Sequence, residues 1–240
     1  MLCSLHLPPQ LEEATFIRRL NRFVAEVQVR GNRELAHVPS SGRMAELLVT
    51  GRRVWVNRHR NEGHRTTCRL LLVEYEGILV SVDATLPNRL VGRALQAGAL
   101  KEFMAYDTIR AEYTRSQSRF DFYLNGPPGG CLLEVKSVTL VEKGVALFPD
   151  APSARGTKHL EELAAARREG LQGAVLFVAQ REDARCFSPH HRQDPAFAGA
   201  LQRAAASGVR VLAYRCRVSR EAVTLEREIP VLLGQENPHR

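Results

Sequence analysis

Two short stretches of the chain carry charged side chains in the middle of apolar runs. SRFDFYL (118–124) contains Asp121, and CLLEVKS (131–137) contains Glu134 and Lys136. Both stretches have the composition of β-strands, in which successive side chains point to opposite faces. Glu134 and Lys136 therefore share one face, about 7 Å apart along the strand. If the two strands pair as a hairpin, the register can make Asp121 and Glu134 neighbours.

Two carboxylates held this close repel each other, and each favours its protonated form unless a cation lies between them. A divalent ion that prefers hard oxygen ligands, Mg²⁺ or Mn²⁺, resolves this conflict. We therefore predict Asp121 and Glu134 as metal ligands, and both together with Lys136 as catalytic residues, the amine orienting or activating a water. The alternative is a solvent-facing sheet in which a carboxylate forms a salt bridge with Lys136. Strand alternation also predicts that Phe120 and Phe122 share the face opposite Asp121.

Four further residues, Glu112, Asp150, Lys158 and His159, are auxiliary candidates for the same site. Glu112 lies on the preceding predicted strand and could be another metal ligand, and Asp150 could reach the site from its loop. Arg155, Lys158 and His159 stand near the start of a predicted helix, where cations and backbone N–H groups suit a phosphate. The alternatives are an exposed edge carboxylate, a turn-capping aspartate and ordinary surface residues.

The elements around these residues form one region, predicted to span residues 85–240. Apolar periodicity and turn residues predict helices at 88–98, 158–170 and 194–208, and strands at 107–114, 118–124, 131–140, 173–180, 209–219 and 221–229. Asp194 is the predicted N-cap of the last helix, with Pro195 as its first residue. The pattern D-(x12)-E-x-K on adjacent strands, after a helix and before a helix, resembles the motif of PD-(D/E)xK nucleases.

The first part of the chain, residues 12–84, has short alternating strands separated by turns and no long helix. About five strands of this size predict a small OB-like β-barrel. Phe23, Trp55 and Tyr75 are available for stacking on bases, although a Trp in a strand is more often a core residue. The predicted nucleic-acid contacts, including two in the second region, are Arg22, Arg43, Arg52, Arg53, Trp55, Arg119 and Arg155.

The balance of charge indicates the kind of partner. Lys and Arg number 34 against 26 Asp and Glu, which gives a net charge of +8 and a pI near 9.7. A strong positive charge favours a polyanion such as DNA or RNA, through the release of counterions. Only four of these cations are lysines. The arginine content could therefore reflect a GC-rich genome instead.

Several functional classes lack their sequence signals. The chain has no glycine-rich phosphate loop, no nucleophile elbow and no HExxH motif, which argues against nucleotide hydrolases, α/β-hydrolases and zincins. Its five cysteines form no CxxC pair, which argues against a zinc or dithiol site. No stretch has the length of a membrane helix, and the start lacks the regions of a signal peptide. We therefore expect a cytoplasmic protein with no membrane partner.

Longer motifs resemble the sugar fermentation stimulation protein A family over nearly the whole chain. They are LNRFVAEV, HVPSSGRMAELL, LPNRLVGRAL, SRFDFYL, LEVKSVTL, FPDAPSARGTKHLEEL and GVRVLAYRCRV. The resemblance implies an N-terminal OB-like domain joined to a PD-(D/E)xK nuclease-like α/β domain with a mixed central sheet. It also implies DNA binding and a DNA/RNA nuclease activity, with the acidic and lysine motif on Asp121, Glu134 and Lys136.

Two functional hypotheses follow. The first is a metal-dependent nucleic-acid phosphodiesterase that uses Mg²⁺ or Mn²⁺. The second is a non-catalytic DNA-binding regulator of sugar (maltose) metabolism genes that retains a nuclease-like fold. The sequence leaves open the choice of DNA or RNA, exo or endo cleavage, and the oligomeric state, a homodimer included.

Overall fold

The computed structural model describes residues 3–58, 65–115 and 117–234 of the chain. The strands are β1 (Cys3–His6), β2 (Leu11–Asn21), β3 (Val24–Val29), β4 (Asn32–His37), β5 (Arg53–Arg58), β6 (Cys68–Tyr75), β7 (Ile78–Ser81), β8 (Thr108–Arg115), β9 (Ser118–Gly126), β10 (Gly129–Val138), β11 (Val141–Glu142), β12 (Val145–Phe148), β13 (Gln172–Ala179), β14 (Cys186–Pro189), β15 (Arg210–Val218) and β16 (Ala222–Glu228). The helices are α1 (Leu86–Gln96), α2 (Ala154–Arg168) and α3 (Pro195–Ala206), with a 3-10 turn at Lys101–Phe103.

Strands β2 to β6 form a closed barrel. They follow the order β4-β3-β2-β5-β6, with β7 paired to the outer side of β6. A short parallel pairing of β4 with β6, in which Ala36 lies opposite Cys68, closes the ring. Apolar side chains such as Phe16, Val27 and Val54 alternate inward and fill the interior. The predicted OB-like barrel is confirmed.

The second part of the fold is built on a seven-stranded mixed sheet. Its order is β1-β16-β15-β13-β10-β9-β8, with β10, β13 and β15 parallel and the remaining neighbours antiparallel. The central strand β13 is buried from Gly173 to Ala179 and is apolar throughout, as expected for a strand covered on both faces. Helix α1 packs on one face, and α2 and α3 pack on the other. The predicted mixed α/β architecture is confirmed.

Two groups of short strands were not predicted from the sequence. Strand β1 pairs antiparallel with β16 and so extends the large sheet with residues from the start of the chain. Strands β11, β12 and β14 form a separate three-stranded sheet. Four residues or fewer carry too little periodicity to be recognised, and these pairings join distant parts of the chain.

The three helices are amphipathic elements of 11, 15 and 12 residues. Asp194 caps α3 by accepting the N–H of Phe197, with Pro195 in the first turn, as predicted. Helix α2 begins at Ala154, capped by Ser153, which is earlier than the predicted start at 158. In the three described ranges of the chain, no helix is long and apolar enough to cross a membrane.

A buried polar junction joins the barrel to the large sheet. Gln180, at the end of β13, accepts a hydrogen bond from the Ser81 hydroxyl on β7 and donates one to Ser137 on β10, both at 2.9 Å. The next residue, Arg181, is fully buried, and its guanidinium lies 4.8 Å from the Tyr75 ring on β6. These contacts fix the barrel beside the strand that carries the predicted catalytic residues.

Candidate active site

The pairing of β9 with β10 extends to the position just before the two predicted carboxylates. Their register runs from Gly129 opposite Gly126 to Leu133 opposite Phe122. One step further, the same register places Glu134 opposite Asp121, but regular pairing ends before that step. At this point the Asp121 side chain replaces a backbone carbonyl as the acceptor, because its Oδ2 atom accepts the Val135 N–H at 2.7 Å.

The pairing of β9 with its other neighbour, β8, is interrupted at the same residue, Asp121. In the pairing with β8, Ala111 lies opposite Phe122 and Tyr113 opposite Phe120, while the intervening pair of Glu112 and Asp121 is missing. Glu112 has φ of 53°, in the left-handed region that a residue with a side chain rarely adopts. Asp121 therefore lies at a local break in both ladders.

This break changes the faces of β9. Phe122 packs in the core on the α1 side of the sheet, whereas Phe120 packs on the α2 and α3 side. The Phe120 ring lies 5.7 Å from that of His159 on α2. The prediction that Phe120 and Phe122 share a face is wrong, because the strand does not keep regular alternation through Asp121.

Glu134 is buried beside a lysine and a histidine. It is 4% exposed, and its Oε1 atom accepts hydrogen bonds from Lys136 Nζ at 2.5 Å and from His159 Nδ1. Burial acts to raise the pKa of Glu134, but His159 and Lys136 outweigh it and leave the pKa below its usual value. The other oxygen, Oε2, is buried and has no hydrogen-bond partner in the described part of the chain. A charged oxygen in this state is costly unless something binds it.

The pKa of Asp121 is shifted in the opposite direction to that of Glu134. Burial, followed by the nearby charge of Glu134, raises its pKa from 3.8 to about 6, against the opposing effects of Val135, Lys136 and Asn88. Asn88 on α1 donates from Nδ2 to Asp121 Oδ1 at 2.5 Å. The two acids are therefore close enough for the charge of one to disfavour ionisation of the other.

The donors of the site suit a hard divalent cation. Glu134 offers a buried oxygen that has no hydrogen-bond partner in the described residues. Asp121 offers a carboxylate whose ionised form is disfavoured by burial and by the charge of Glu134. Residues 3–58, 65–115 and 117–234 contain no group of three or more His, Cys, Asp or Glu arranged around one metal position. Magnesium commonly binds through one or two carboxylates and keeps several waters, so two acids are sufficient.

His159 serves the site differently from the prediction. Because α2 begins at Ala154, His159 lies in its second turn, faces the sheet and is buried. Its Nδ1 atom hydrogen-bonds to Glu134, which orients that carboxylate. Lys158, next to it, is exposed and lies 3.8 Å from Glu162 on the same helix.

A cleft of about 510 Å³ is lined by Val135 and Lys136, the residues that follow Glu134, while neither carboxylate of the pair is part of its lining. The lining also includes the predicted nucleic-acid contacts Arg22 and Arg155 and the predicted auxiliary residue Asp150. Asp150 Oδ2 also accepts the N–H of Met44 at 3.0 Å, which ties its loop to the barrel. The structure thus brings these predicted residues to one cavity.

Glu112 and Arg119 are not brought to this cavity. The Glu112 side chain is 72% exposed, and its carboxylate lies 3.5 Å from the Arg119 guanidinium on the surface of the β8–β9 hairpin. The left-handed conformation of Glu112 accompanies this outward position. Of the two alternatives for Glu112, the structure therefore favours the exposed edge carboxylate over the metal ligand.

Trp55 is buried in the structure and does not have the base-stacking role predicted for it. Its indole is 5% exposed and packs with Leu72 and Leu90 in the core between barrel and sheet. Both faces of β5 are buried, because Val54 and Val56 fill the barrel interior while Trp55 covers its outside. A base has no access to this ring.

The remaining barrel arginines differ in their availability. Arg53 lies 3.2 Å from Glu13 and 3.3 Å from Glu74, so its charge is largely compensated. Arg52 lies 5.0 Å from the centre of the Tyr75 ring, which covers part of that ring. Arg43 is exposed, and within the described residues it forms no ion pair.

Two residues of the site were not singled out from the sequence. Asn88 binds Asp121, and the only available signal was a polar side chain in the first turn of an otherwise apolar helix. Arg19 was one of many arginines in the barrel strands. Its guanidinium donates to the carbonyls of Arg22, Ser40, Gly42 and Arg43 and so holds one wall of the cleft together.

The fold is an OB barrel followed by a mixed-sheet α/β domain, in which a buried glutamate, a half-buried aspartate and a lysine lie together. The chain matches the SfsA N-terminal OB domain over residues 17–82 and the sugar fermentation stimulation protein RE domain over residues 85–222. The protein belongs to the sugar fermentation stimulation protein family, as its motifs predicted.

Similar proteins cover almost the entire chain. The sugar fermentation stimulation protein homologue of Desulforamulus reducens is 50% identical over 94% of both chains. That of Acetivibrio thermocellus is 47% identical over 93% of this chain and 97% of its own. The solved structure of Pyrococcus furiosus SfsA in complex with Ca²⁺ has a TM-score of 0.88 and 27% identity, covering 97% of this chain and all of the other.

Proposed function

We propose that the protein is a metal-dependent phosphodiesterase that cleaves nucleic acid, DNA or RNA, with Asp121 and Glu134 as ligands of Mg²⁺ or Mn²⁺. The observation that carries the proposal is the buried Glu134 Oε2, which has no partner in the described residues and lies beside a second carboxylate with a raised pKa. A divalent cation would bind the unpartnered Glu134 oxygen and would also reduce the repulsion between the two carboxylates. The Ca²⁺ complex of the Pyrococcus furiosus relative also supports a divalent cation.

The surrounding residues have distinct roles in this proposal. Lys136 lines the cleft and is fixed by its bond to Glu134, so its ammonium can orient a water or balance charge that develops on a phosphate. His159 bonds to the same Glu134 oxygen and so helps to hold the carboxylate in place. When bound, the metal ion would polarise a phosphate oxygen and lower the pKa of a bound water.

Nucleic acid is the substrate that best fits the charges around the site. Arg22 and Arg155 line the cleft with Lys136, and neither arginine forms an ion pair within the described residues. Free cations along a groove attract a phosphate backbone by releasing its counterions. The net charge of +8 acts in the same direction.

The test is a cleavage assay with matched variants. Purified protein should cut DNA or RNA oligonucleotides in Mg²⁺ or Mn²⁺ and not in EDTA. Asp121→Ala and Lys136→Met should each lower the rate by about 100-fold or more, because each removes a group that acts on the reacting phosphate. Glu161→Ala and Lys101→Met remove an exposed acid and an exposed amine elsewhere and should leave the rate unchanged.

Two results would contradict the proposal. Cleavage at the normal rate by both Asp121→Ala and Lys136→Met would remove this mechanism. Binding of DNA without cleavage in any divalent metal, unaffected by Asp121→Ala, would instead favour the non-catalytic regulator.

A further inference from the structure

The cleft beside the acidic pair is enclosed by the barrel and by the second domain. On the barrel side its wall is the loop Ser40–Gly42 together with Arg22, from the turn between β2 and β3. On the other side lie the end of β10 and the segment 147–155. A phosphate that reaches Lys136 must therefore pass between two protein walls.

The barrel-side wall is held together by Arg19, and Asp150 joins it to the opposite wall. The Arg19 guanidinium joins the carbonyl of Arg22 to the carbonyl of Gly42, at 2.5 and 2.7 Å. Across the cleft, Asp150 accepts the N–H of Met44. The contact is close enough that a Cβ added at Gly42 would lie 2.8 Å from Asp150 Oδ2. Such links resist the widening that two paired strands would need.

An exposed aromatic residue is the chain neighbour of a residue that lines this cleft. Phe23 follows Arg22 directly and is 47% exposed. Its carbonyl accepts the N–H of Val38, two residues before Ser40 of the cleft wall. Among the three barrel aromatics with a predicted stacking role, Trp55 is buried and Tyr75 is covered by arginines, whereas Phe23 is substantially open.

We infer that the cleft accepts a single, unpaired strand and that Phe23 is the platform on which one of its bases stacks. The inference rests on the proposed function and specifies its substrate class. An aromatic ring next to a free cation is the combination that binds single strands, because the ring stacks on any base while the cation holds the phosphate. Arg22 and Arg155 supply the cations on the two walls. A base in a duplex cannot stack on Phe23 without leaving its partner.

The first experiment measures binding separately from cleavage. Fluorescence anisotropy in EDTA, at a fixed salt concentration of about 0.1 M, compares a single-stranded DNA oligonucleotide with the same strand in a blunt duplex. The single strand should bind about tenfold more tightly or better. Equal or tighter binding of the duplex would overturn the inference.

The second experiment tests the stacking itself. Phe23→Ala should weaken binding of the single strand by about 5- to 100-fold, and Phe23→Trp should restore it. An abasic oligonucleotide of the same length keeps the phosphates but has no base to stack, so Phe23→Ala should not change its binding. Leu20→Ala, on the same hairpin and 45% exposed, is the control for loss of apolar surface. Equal weakening of the normal and abasic strands by Phe23→Ala would overturn the role of Phe23.

These results separate the inference from the proposed function. The inference is supported if the protein prefers the single strand and if Phe23→Ala weakens binding of the normal strand but not of the abasic strand. This holds even if no cleavage occurs in any metal. Metal-dependent cleavage of blunt duplex as fast as single strand supports a phosphodiesterase and overturns the inference.

Discussion

The Asp121 carboxylate should destabilise the metal-free protein, so its neutral variant Asp121→Asn should be more stable. Burial and the charge of Glu134 raise the pKa of Asp121 from 3.8 to about 6. Since one pKa unit corresponds to about 1.4 kcal/mol, the ionised carboxylate costs the folded state about 3 kcal/mol at neutral pH. The folded state holds the proton more tightly than the unfolded state. The penalty is therefore absent below the unfolded pKa, grows between about pH 4 and pH 6, and is complete above that.

Asparagine removes the charge and keeps an oxygen that can accept the Val135 N–H. Its amide is a poorer partner for the donor of Asn88, which offsets part of the gain. We therefore expect Asp121→Asn to raise the free energy of unfolding by about 1 to 3 kcal/mol at about pH 8. The difference from wild type should shrink by about 1.5 kcal/mol on going from about pH 8 to about pH 5.

The assay is urea unfolding in EDTA across this pH range. Glu161→Gln, which neutralises an exposed acid on α2, is the control and should show no comparable dependence on pH. Adding Mg²⁺ should stabilise wild type and not Asp121→Asn, because a ligand stabilises only the form that binds it. A difference between wild type and Asp121→Asn that is constant from about pH 5 to about pH 8 would refute the electrostatic reasoning.

Other predictions concern the frame that holds the site. Gln180→Leu should lower the free energy of unfolding by about 1 to 3 kcal/mol in urea titrations, because the Ser81 and Ser137 hydroxyls lose their buried partner; a loss below the experimental error would contradict a structural junction. Trp55→Ala should cost about 3 to 5 kcal/mol, whereas Phe23→Ala should cost about 0.5 kcal/mol or less. Similar losses of stability for these two variants would contradict the assignment of one ring to the core and the other to the surface.

The strands of the candidate site could be predicted because alternation is a local signal. Asp121, Glu134 and Lys136 interrupt apolar runs at positions that the strand period places, and one hairpin register makes the two acids opposite neighbours. The sequence could not indicate that regular pairing stops at that step. The β9–β10 pairing stops where the Val135 N–H donates to the Asp121 carboxylate, and the β8–β9 pairing is interrupted at Glu112, whose backbone is left-handed.

Contacts between distant parts of the chain were harder to predict. His159 was placed in the first turn of its helix because the cap at Ser153 was not recognised, and its burial against Glu134 followed only from the correct start. Trp55 was ambiguous because β5 has two buried faces, one inside the barrel and one against the second domain. The contact of His159 with Glu134 and that of Trp55 with the second domain leave no periodic signal in the helix or strand that carries each residue.

Divalent-cation binding followed by calorimetry is the most direct measurement of the central claim. Mg²⁺ and Mn²⁺ should bind the wild-type protein at about pH 8, where both acids are ionised. Glu134→Gln keeps the size of the side chain but removes the charge, and it should weaken binding by about tenfold or more, while Glu161→Gln should have no effect. Equal affinity in wild type and Glu134→Gln would contradict a metal site built on these two carboxylates.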